Sequence, residues 1–216
     1  VQEICVLGVD LQLLPEKAIY LQQSHSLLVA DVHLGKSETF QRFGIPIPNQ
    51  VNQETLDRLQ RLCDRVNPDE LIILGDLFHS QLALVAEVQD AWSSFLAHVE
   101  AEVKLIVGNH DRALISQLQP FSMECVKDAI ALENLWLSHE PDSQSHNLNI
   151  CGHIHPCLKI KTRLDNLRLP CFYLDKNQNQ LMLPSFGAFT GGYEVELKPG
   201  TIAYVVAEDA VIPFAA

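Results

Sequence analysis

The sequence predicts an α/β fold in which each half of the chain contributes a β-sheet, with helices outside. In the first half, apolar runs of strand length alternate with stretches of helical periodicity, the pattern of parallel strands joined by helical crossovers. In the second half, short apolar runs follow one another with turns between them. A third observation bears on function: three of the first-half runs break off into clusters of Asp, His and Asn.

Near the start, "EICVLGVDLQLL" and "KAIYLQQ" read as strands. "SLLVADVHLG" is a continuous apolar run ending in polar residues and glycine, which suits a buried strand. "KSETFQRFGIPIPN", with two prolines and a glycine, reads as an irregular connection. In "QVNQETLDRLQRLCDRV", Val51, Thr55, Leu59, Leu62 and Val66 recur close to helical spacing, and Asn67-Pro68 stops the helix. "LIILGD" is a second buried strand, "VAEVQDAWSSFLAHVE" a second amphipathic helix, "VKLIVGNHD" a third buried strand and "RALISQLQ" a short helix. Beyond these, "MECVKDAIAL", "LWLSHEP", "LNICGHIHP", "LKIKTRL", "LRLPCFYL", "QLMLPS", "TIAYVVAE" and "AVIPFA" read as short strands. The alternation over 158–183 predicts an antiparallel meander with one wet face. No linker, low-complexity tract or internal repeat divides the 216 residues, so a single domain over 1–216 is expected.

Hydrophobic residues at 47% against 19% charged residues mark a globular chain. No apolar run approaches the roughly 18 residues of a membrane helix, so no membrane partner is expected, and "VQEICVLGVD" lacks the basic start of a signal peptide. The six cysteines form no C-x-x-C pair and read as reduced thiols of a cytoplasmic protein. A formal net charge of −12 argues against tight non-specific binding to nucleic acid. It remains compatible with a phosphate substrate where bound cations invert the local field.

The polar clusters are Asp31-Val32-His33, Gly75-Asp76 and Gly108-Asn109-His110-Asp111, joined later by His139 in "LSHEP" and by His153 and His155 in "CGHIHP". In open α/β sheets, ligands bind beyond the carboxyl ends of the strands. Each cluster alone has an ordinary reading: a strand-ending turn for Gly-Asp, a hydrogen-bonded structural histidine for His139. All of them at strand ends, in this order, point to one site. His25, His98 and His146 are scattered and read as surface or structural histidines. The shell of Asp, His and Asn suits Mn²⁺, Fe²⁺ or Zn²⁺ better than an all-oxygen Ca²⁺ cage. Seven ligands are too many for one tetrahedral ion but suit two ions sharing a carboxylate. Metals about 3.5–4 Å apart can hold a bridging hydroxide and stabilise both oxygens of an in-line displacement at phosphorus. A histidine beside the metals that is not a ligand would protonate the leaving group.

The succession Asp-x-His, Gly-Asp, Gly-Asn-His-Asp, His, Gly-His-x-His resembles the calcineurin-like metallophosphoesterase superfamily. "ADVHLGK" (30–36), "GDLFHS" (75–80), "GNHDR" (108–112), "SHEP" (138–141), "GHIHP" (152–156), "RLPCF" (168–172) and "PSFGAFTGG" (184–192) resemble more closely the bacterial ligase-associated DNA damage response endonucleases or phosphodiesterases. The resemblance implies a four-layer α-β-β-α sandwich of two mixed sheets. It implies that Asp31, His33 and His155 hold a first divalent ion, that Asp76 bridges, and that Asn109, His139 and His153 complete a second. Mn²⁺ is the expected metal, with Fe²⁺ or Zn²⁺ as alternatives. His110 would be the acid and Asp111 would orient it. Many superfamily members carry Asp three residues after the bridging Asp, where this chain has His79. The resemblance further implies a phosphodiester substrate, such as DNA ends or nucleotides, and association with a DNA ligase or helicase. Other readings are a phosphomonoesterase of nucleotide metabolism and a non-catalytic scaffold, the latter disfavoured because every ligand position and His110 are filled.

Arg112 is a candidate for bidentate contact with a substrate phosphate, against an ordinary exposed position. Lys36 and Arg42 follow "DVHLG" in a loop that can reach substrate. Lys159, Lys161 and Arg163 share a face of a strand and, with Arg168, form a basic stretch, read first as a solvated face. "FGAFTGG" reads as a glycine-bearing turn that walls the cleft or packs beneath it.

Overall fold

A computed structural model of the chain describes every residue except 46, 48, 49, 143–146, 162–165 and 189. The first sheet has seven strands in chain order: β1 (Gln2–Val6), β2 (Val9–Leu14), β3 (Ala18–Leu21), β4 (Ser26–Val29), β5 (Glu70–Leu74), β6 (Glu102–Ile106) and β7 (Glu124–Val126). Pairing is antiparallel from β1 to β4 and parallel from β4 to β7. β1 and β2 form a hairpin because Leu7 and Gly8, at φ 52 and 78, take the two positive φ values of a type I′ turn. Helices α1 (Lys36–Arg42), α2 (Gln50–Val66), α3 (Ala86–His98) and α4 (Ile115–Leu118) are inserted along this half.

The second sheet holds β8 (Ala129–Leu132), β9 (Leu135–Ser138), β10 (Leu148–Cys151), β11 (Pro156–Lys161), β12 (Asn166–Asp175), β13 (Gln180–Met182), β14 (Tyr193–Glu194), β15 (Thr201–Ala207) and β16 (Ala210–Ala215). Its order is β14-β11-β12-β13-β10-β9-β8, with β15 pairing β12 and carrying β16. β10 lies parallel to both β9 and β13, so this sheet too is mixed. "MECVKDAIAL" is therefore two strands, β7 in one sheet and β8 in the other.

Two apolar layers follow from the strand pleat. Leu13, Ile19, Leu28, Ile72 and Ile106 of the first sheet meet Leu137, Ile150, Phe172, Leu174 and Leu181 of the second. On its other face, the first sheet presents Leu27, Val29, Leu71, Ile73 and Leu105 to Leu56, Leu59 and Leu62 of α2 and to Val88, Trp92 and Phe95 of α3. Those positions recur at i, i+3 and i+6 in α2 and at i, i+4 and i+7 in α3, which lines one stripe of each helix against the sheet. Among the described residues every helix precedes Gln119. The outer face of the second sheet is covered by Val195 and Leu197, which pack with Leu158, Cys171, Tyr173 and Val205.

Two expectations change. Residues 36–42 are the helix α1 and not irregular chain; the helix is short, and it is tied from outside by Asn52 of α2, whose Oδ1 accepts from Gly35 N–H at 2.9 Å and whose Nδ2 donates to Glu38. The 158–183 meander is antiparallel as expected, but its wet face is confined to its outer end. Residues 171–174 are buried on both faces, Phe172 and Leu174 between the sheets and Cys171 and Tyr173 beneath Val195.

Candidate metal centre and active site

The parallel strands of both sheets end at one edge. Asp31 and His33 follow β4, Asp76 follows β5, Asn109 and His110 follow β6, His139 follows β9, and His153 and His155 follow β10. The adjoining backbones are laced together: Asp31 N–H donates to Gly75 O at 3.1 Å, His33 N–H to Asp76 O at 2.9 Å, and His153 N–H to the Asp31 carboxylate at 3.0 Å. Five of these residues, Asp31, His33, Asp76, His153 and His155, sit at φ between 50 and 66. That left-handed conformation costs a non-glycine residue roughly 1–3 kcal/mol, and such strain collects where side chains must be aimed at a ligand. Tight approach also explains two of the glycines. A Cβ on Gly75 would overlap the His139 ring, and one on Gly108 would overlap the Asp76 carboxylate.

Three overlapping groups converge: Asp31, His33 and His155; His33, Asp76 and His110; Asp76, His139 and His153, with candidate ligand atoms within 4.8 Å of one another in each. His139 Nδ1 lies 2.9 Å from Leu74 O, a pure acceptor, so that nitrogen carries the proton. Its Nε2 lone pair then faces Asn109 Oδ1 at 2.9 Å, His153 Nδ1 at 3.2 Å and Asp76 Oδ1 at 3.6 Å. His155 repeats the device: Nδ1 donates to Gly191 O at 3.2 Å, and Nε2 stands 3.1 Å from Asp31 Oδ1 without an aligned hydrogen bond. Asp31 Oδ1, His155 Nε2 and His33 Nδ1 are all buried and unsatisfied among the described residues. The Asp31 carboxylate raises the His155 imidazole against the effect of burial, so this crowd of acceptors draws in a cation, a proton or a metal ion. The donor set therefore fits divalent metal.

Burial pushes the His33 imidazole down to about 2, with His155, Lys36 and His110 adding to the effect, so it is neutral with a lone pair to give. Burial likewise pushes His79 down to about 4, helped by Lys36 and His110, and raises the Asp76 carboxyl, opposed by its contacts with His139 and the His110 N–H. His110 is partly exposed, its Nε2 3.9 Å from Asp76 Oδ2, and its backbone N–H donates to Asp76 Oδ1 at 2.9 Å.

Asp111 does not orient the His110 ring. It is fully buried, and its carboxylate accepts from the backbone N–H groups of Leu77, Phe78 and Gly108 at 3.2–3.3 Å. It thereby fixes the β5 and β6 loops against each other. Burial, opposed by the Phe78 N–H, pushes its pKa up to about 6. The ring packed on His110 is His79, at 5.3 Å between centroids and 21° between planes; His79 also meets His33 edge-on at 5.4 Å.

Among the substrate candidates, Lys36 stands beside the cluster, its Nζ 5.8 Å from the Phe40 ring. Arg112 instead pairs with Glu140 at 3.0 Å on the exposed surface. Arg42 is exposed in the last turn of α1, and no contact among the described residues brings it to the histidines. Lys159 pairs with Glu194 at 3.8 Å, and Arg163 lies outside the described residues. Sequence reasoning passed over how the 184–192 turn serves Asp31. Ser185 Oγ and Gly187 N–H both donate to Asp31 O, at 2.7 and 3.0 Å, and Phe186 N–H donates to Ala30 O. The signal was the glycine-bearing motif itself. A hollow of about 430 Å³ between α2 and α3 gathers no comparable chemistry; its histidine, His98, is bonded to Ser94 O of its own helix.

Residues 25–180 match the calcineurin-like phosphoesterase family. No match was found among curated protein sequences. Among solved structures, the nuclease MPE of Pseudomonas putida is 34% identical, with 99% of each chain covered and a TM-score of 0.84. The E. coli phosphoesterase YfcE is 16% identical, with 88% of this chain and 98% of that one covered and a TM-score of 0.46. The match spans most of the chain and contains the whole histidine cluster: the chain belongs to the calcineurin-like phosphoesterase family and is a phosphoric ester hydrolase.

Proposed function

We propose that the protein is a two-metal phosphodiesterase that cleaves nucleic-acid strands or ends, with Mn²⁺ as the working ion and the cytoplasm as its setting. The observation that supports this reading is the convergence of Asp31, His33, Asp76, Asn109, His139, His153 and His155 at one edge, with buried unpaired atoms on Asp31, His33 and His155. The likeness to a nuclease over the whole chain supports the nucleic-acid substrate.

Asp31, His33 and His155 would hold one ion, Asn109, His139 and His153 the other, and Asp76, whose two oxygens face His139 and His33/His110, would bridge them. Ions there supply charge neutralisation of the phosphate and an activated water. Leu74 and Gly191 carbonyls hold His139 and His155 in the tautomer that presents Nε2. His110 stands at the open side of the cluster, placed through its own backbone N–H to Asp76 and by the flat face of His79. It gives its proton to the departing alkoxide oxygen. Asp111 keeps the loop that bears His110 in register with the loop that bears Asp76.

The test is hydrolysis of bis-p-nitrophenyl phosphate against p-nitrophenyl phosphate with Mn²⁺ and with chelator, followed by nicked and single-stranded DNA. Chelator-sensitive cleavage of the diester is expected. Cleavage of the monoester alone would replace this reading with a phosphomonoesterase.

A further inference from the structure

Beside His155 the metal cluster opens into a cavity of about 330 Å³ that the chemistry above leaves unused. Lys17, from the turn between β2 and β3, and Arg168, from β12, face it together with Ser185 and Thr190 of the 184–192 turn. In a chain with 27 acidic residues, no carboxylate lines this cavity among the described residues. Gly187, Gly191 and Gly192 leave the backbone bare along one wall.

Lys17 is held there against cost. Its φ of 68 is a strained conformation for a long side chain. Burial pushes its ammonium down to about 8, and the Arg58 guanidinium adds to this. The neighbouring carboxylate, Glu16, is engaged by Arg65 at 2.7 Å. Arg58 lies over the Phe186 ring at 4.3 Å and donates to Phe186 O, which keeps its charge beside Lys17. Arg168 is anchored at the mouth by its bond to Gly192 O at 2.7 Å. A partly desolvated Lys17 ammonium with no carboxylate on the cavity wall, and the Arg168 guanidinium at the exposed mouth, favour an anion that arrives from outside.

We propose that this cavity is a subsite for a second phosphate of the substrate, one nucleotide along the strand from the scissile ester, held by Lys17 and Arg168. The inference rests on the phosphodiesterase reading and makes the preferred substrate a phosphorylated chain longer than a simple diester. The exposed ring of Tyr193, next to Gly192, offers a base a stacking surface at the rim.

The test is a cycle in which the substrate is changed as well as the protein. Affinities are measured by calorimetry for a dinucleotide whose scissile linkage is a non-hydrolysable methylenephosphonate, with and without an added terminal phosphate at either end. The added phosphate at one end should tighten binding roughly tenfold or more in the natural protein. That gain should shrink to about twofold or less in Lys17→Met and Arg168→Met and survive in Lys17→Arg, which also shows that the turn still folds. An equal gain in all variants, or none in the natural protein, overturns the subsite. A methylenebisphosphonate ester, with its two phosphorus atoms adjacent, that gains as much would assign the cavity to a diphosphate and overturn the strand. Failure to hydrolyse bis-p-nitrophenyl phosphate would sink the proposed function without altering these ratios; flat ratios beside intact hydrolysis would sink the subsite alone.

Discussion

On one side of Asp76, Asn109, His139 and His153 touch one another at 2.9–3.2 Å, and this group reaches solvent through Asn109 and His153. On the other side, Asp31 is fully buried, and Asp31 Oδ1, His33 Nδ1 and His155 Nε2 lack aligned partners. The first half can relax by sharing protons and water when no ion is bound. The second has only the proton that the Asp31 carboxylate draws onto His155, because the carboxylate itself is fully buried. On the proposed two-metal reading, one half would use metal chiefly for chemistry and the other would need it for stability as well.

The bridge is where the comparison breaks hardest. Asp76→Asn should lose at least one ion per chain by elemental analysis, and activity should fall on the order of 10³-fold or more; full occupancy of both sites would remove Asp76 as the bridge. His110→Ala should cost about 10²–10⁴-fold in kcat with metal content unchanged. His110 also lies within ligand distance of Asp76 and His33, so loss of metal in this variant would make it a ligand rather than the acid.

The two halves differ in the sign of a stability change. Asp31→Asn should raise the Tm of chelator-treated protein by roughly 3–8 °C, because it removes a fully buried charge that only the His153 N–H and the His155 ring face. It should also erase much of the Tm gained on adding Mn²⁺. Asn109→Ala, at an exposed position, should leave the metal-free Tm within about 2 °C. Equal shifts in the two variants would make the halves equivalent. Gly108→Ala should cost about 1–3 kcal/mol in denaturant unfolding by forcing Asp76 aside. The smallest effect belongs to Arg112→Ala, whose exposed pair with Glu140 is worth under about 0.5 kcal/mol. A tenfold rise in KM for DNA there would instead put Arg112 on the substrate.

Much of the fold was legible because strands buried on both faces write themselves as continuous apolar runs, and because α2 and α3 keep a regular apolar stripe. α1 was not legible. Seven residues carry too little periodicity, and the ties that hold it come from Asn52. The double burial of residues 171–174 was hidden for a similar reason: the cover, Val195, is distant in sequence. Within the site, residue type and position at strand ends marked the candidate ligands. Adjacency in sequence misled for Asp111, which sits beside His110 in the chain yet spends its carboxylate on backbone N–H groups of two loops.

By itself the sequence determined the α/β class, the strand ends that carry chemistry and the donor types of a divalent-metal shell, since apolar pattern and side-chain chemistry are properties of the chain read locally. Only the tertiary structure decided which lone pairs meet, which carbonyls set the tautomers of His139 and His155, that His79 backs His110, and that Lys17 and Arg168 share a cavity without a carboxylate. Those facts depend on groups far apart in the chain being brought within a few ångströms. Leu74 and Gly191 take part through carbonyls that every residue has, so no sequence pattern could have singled them out.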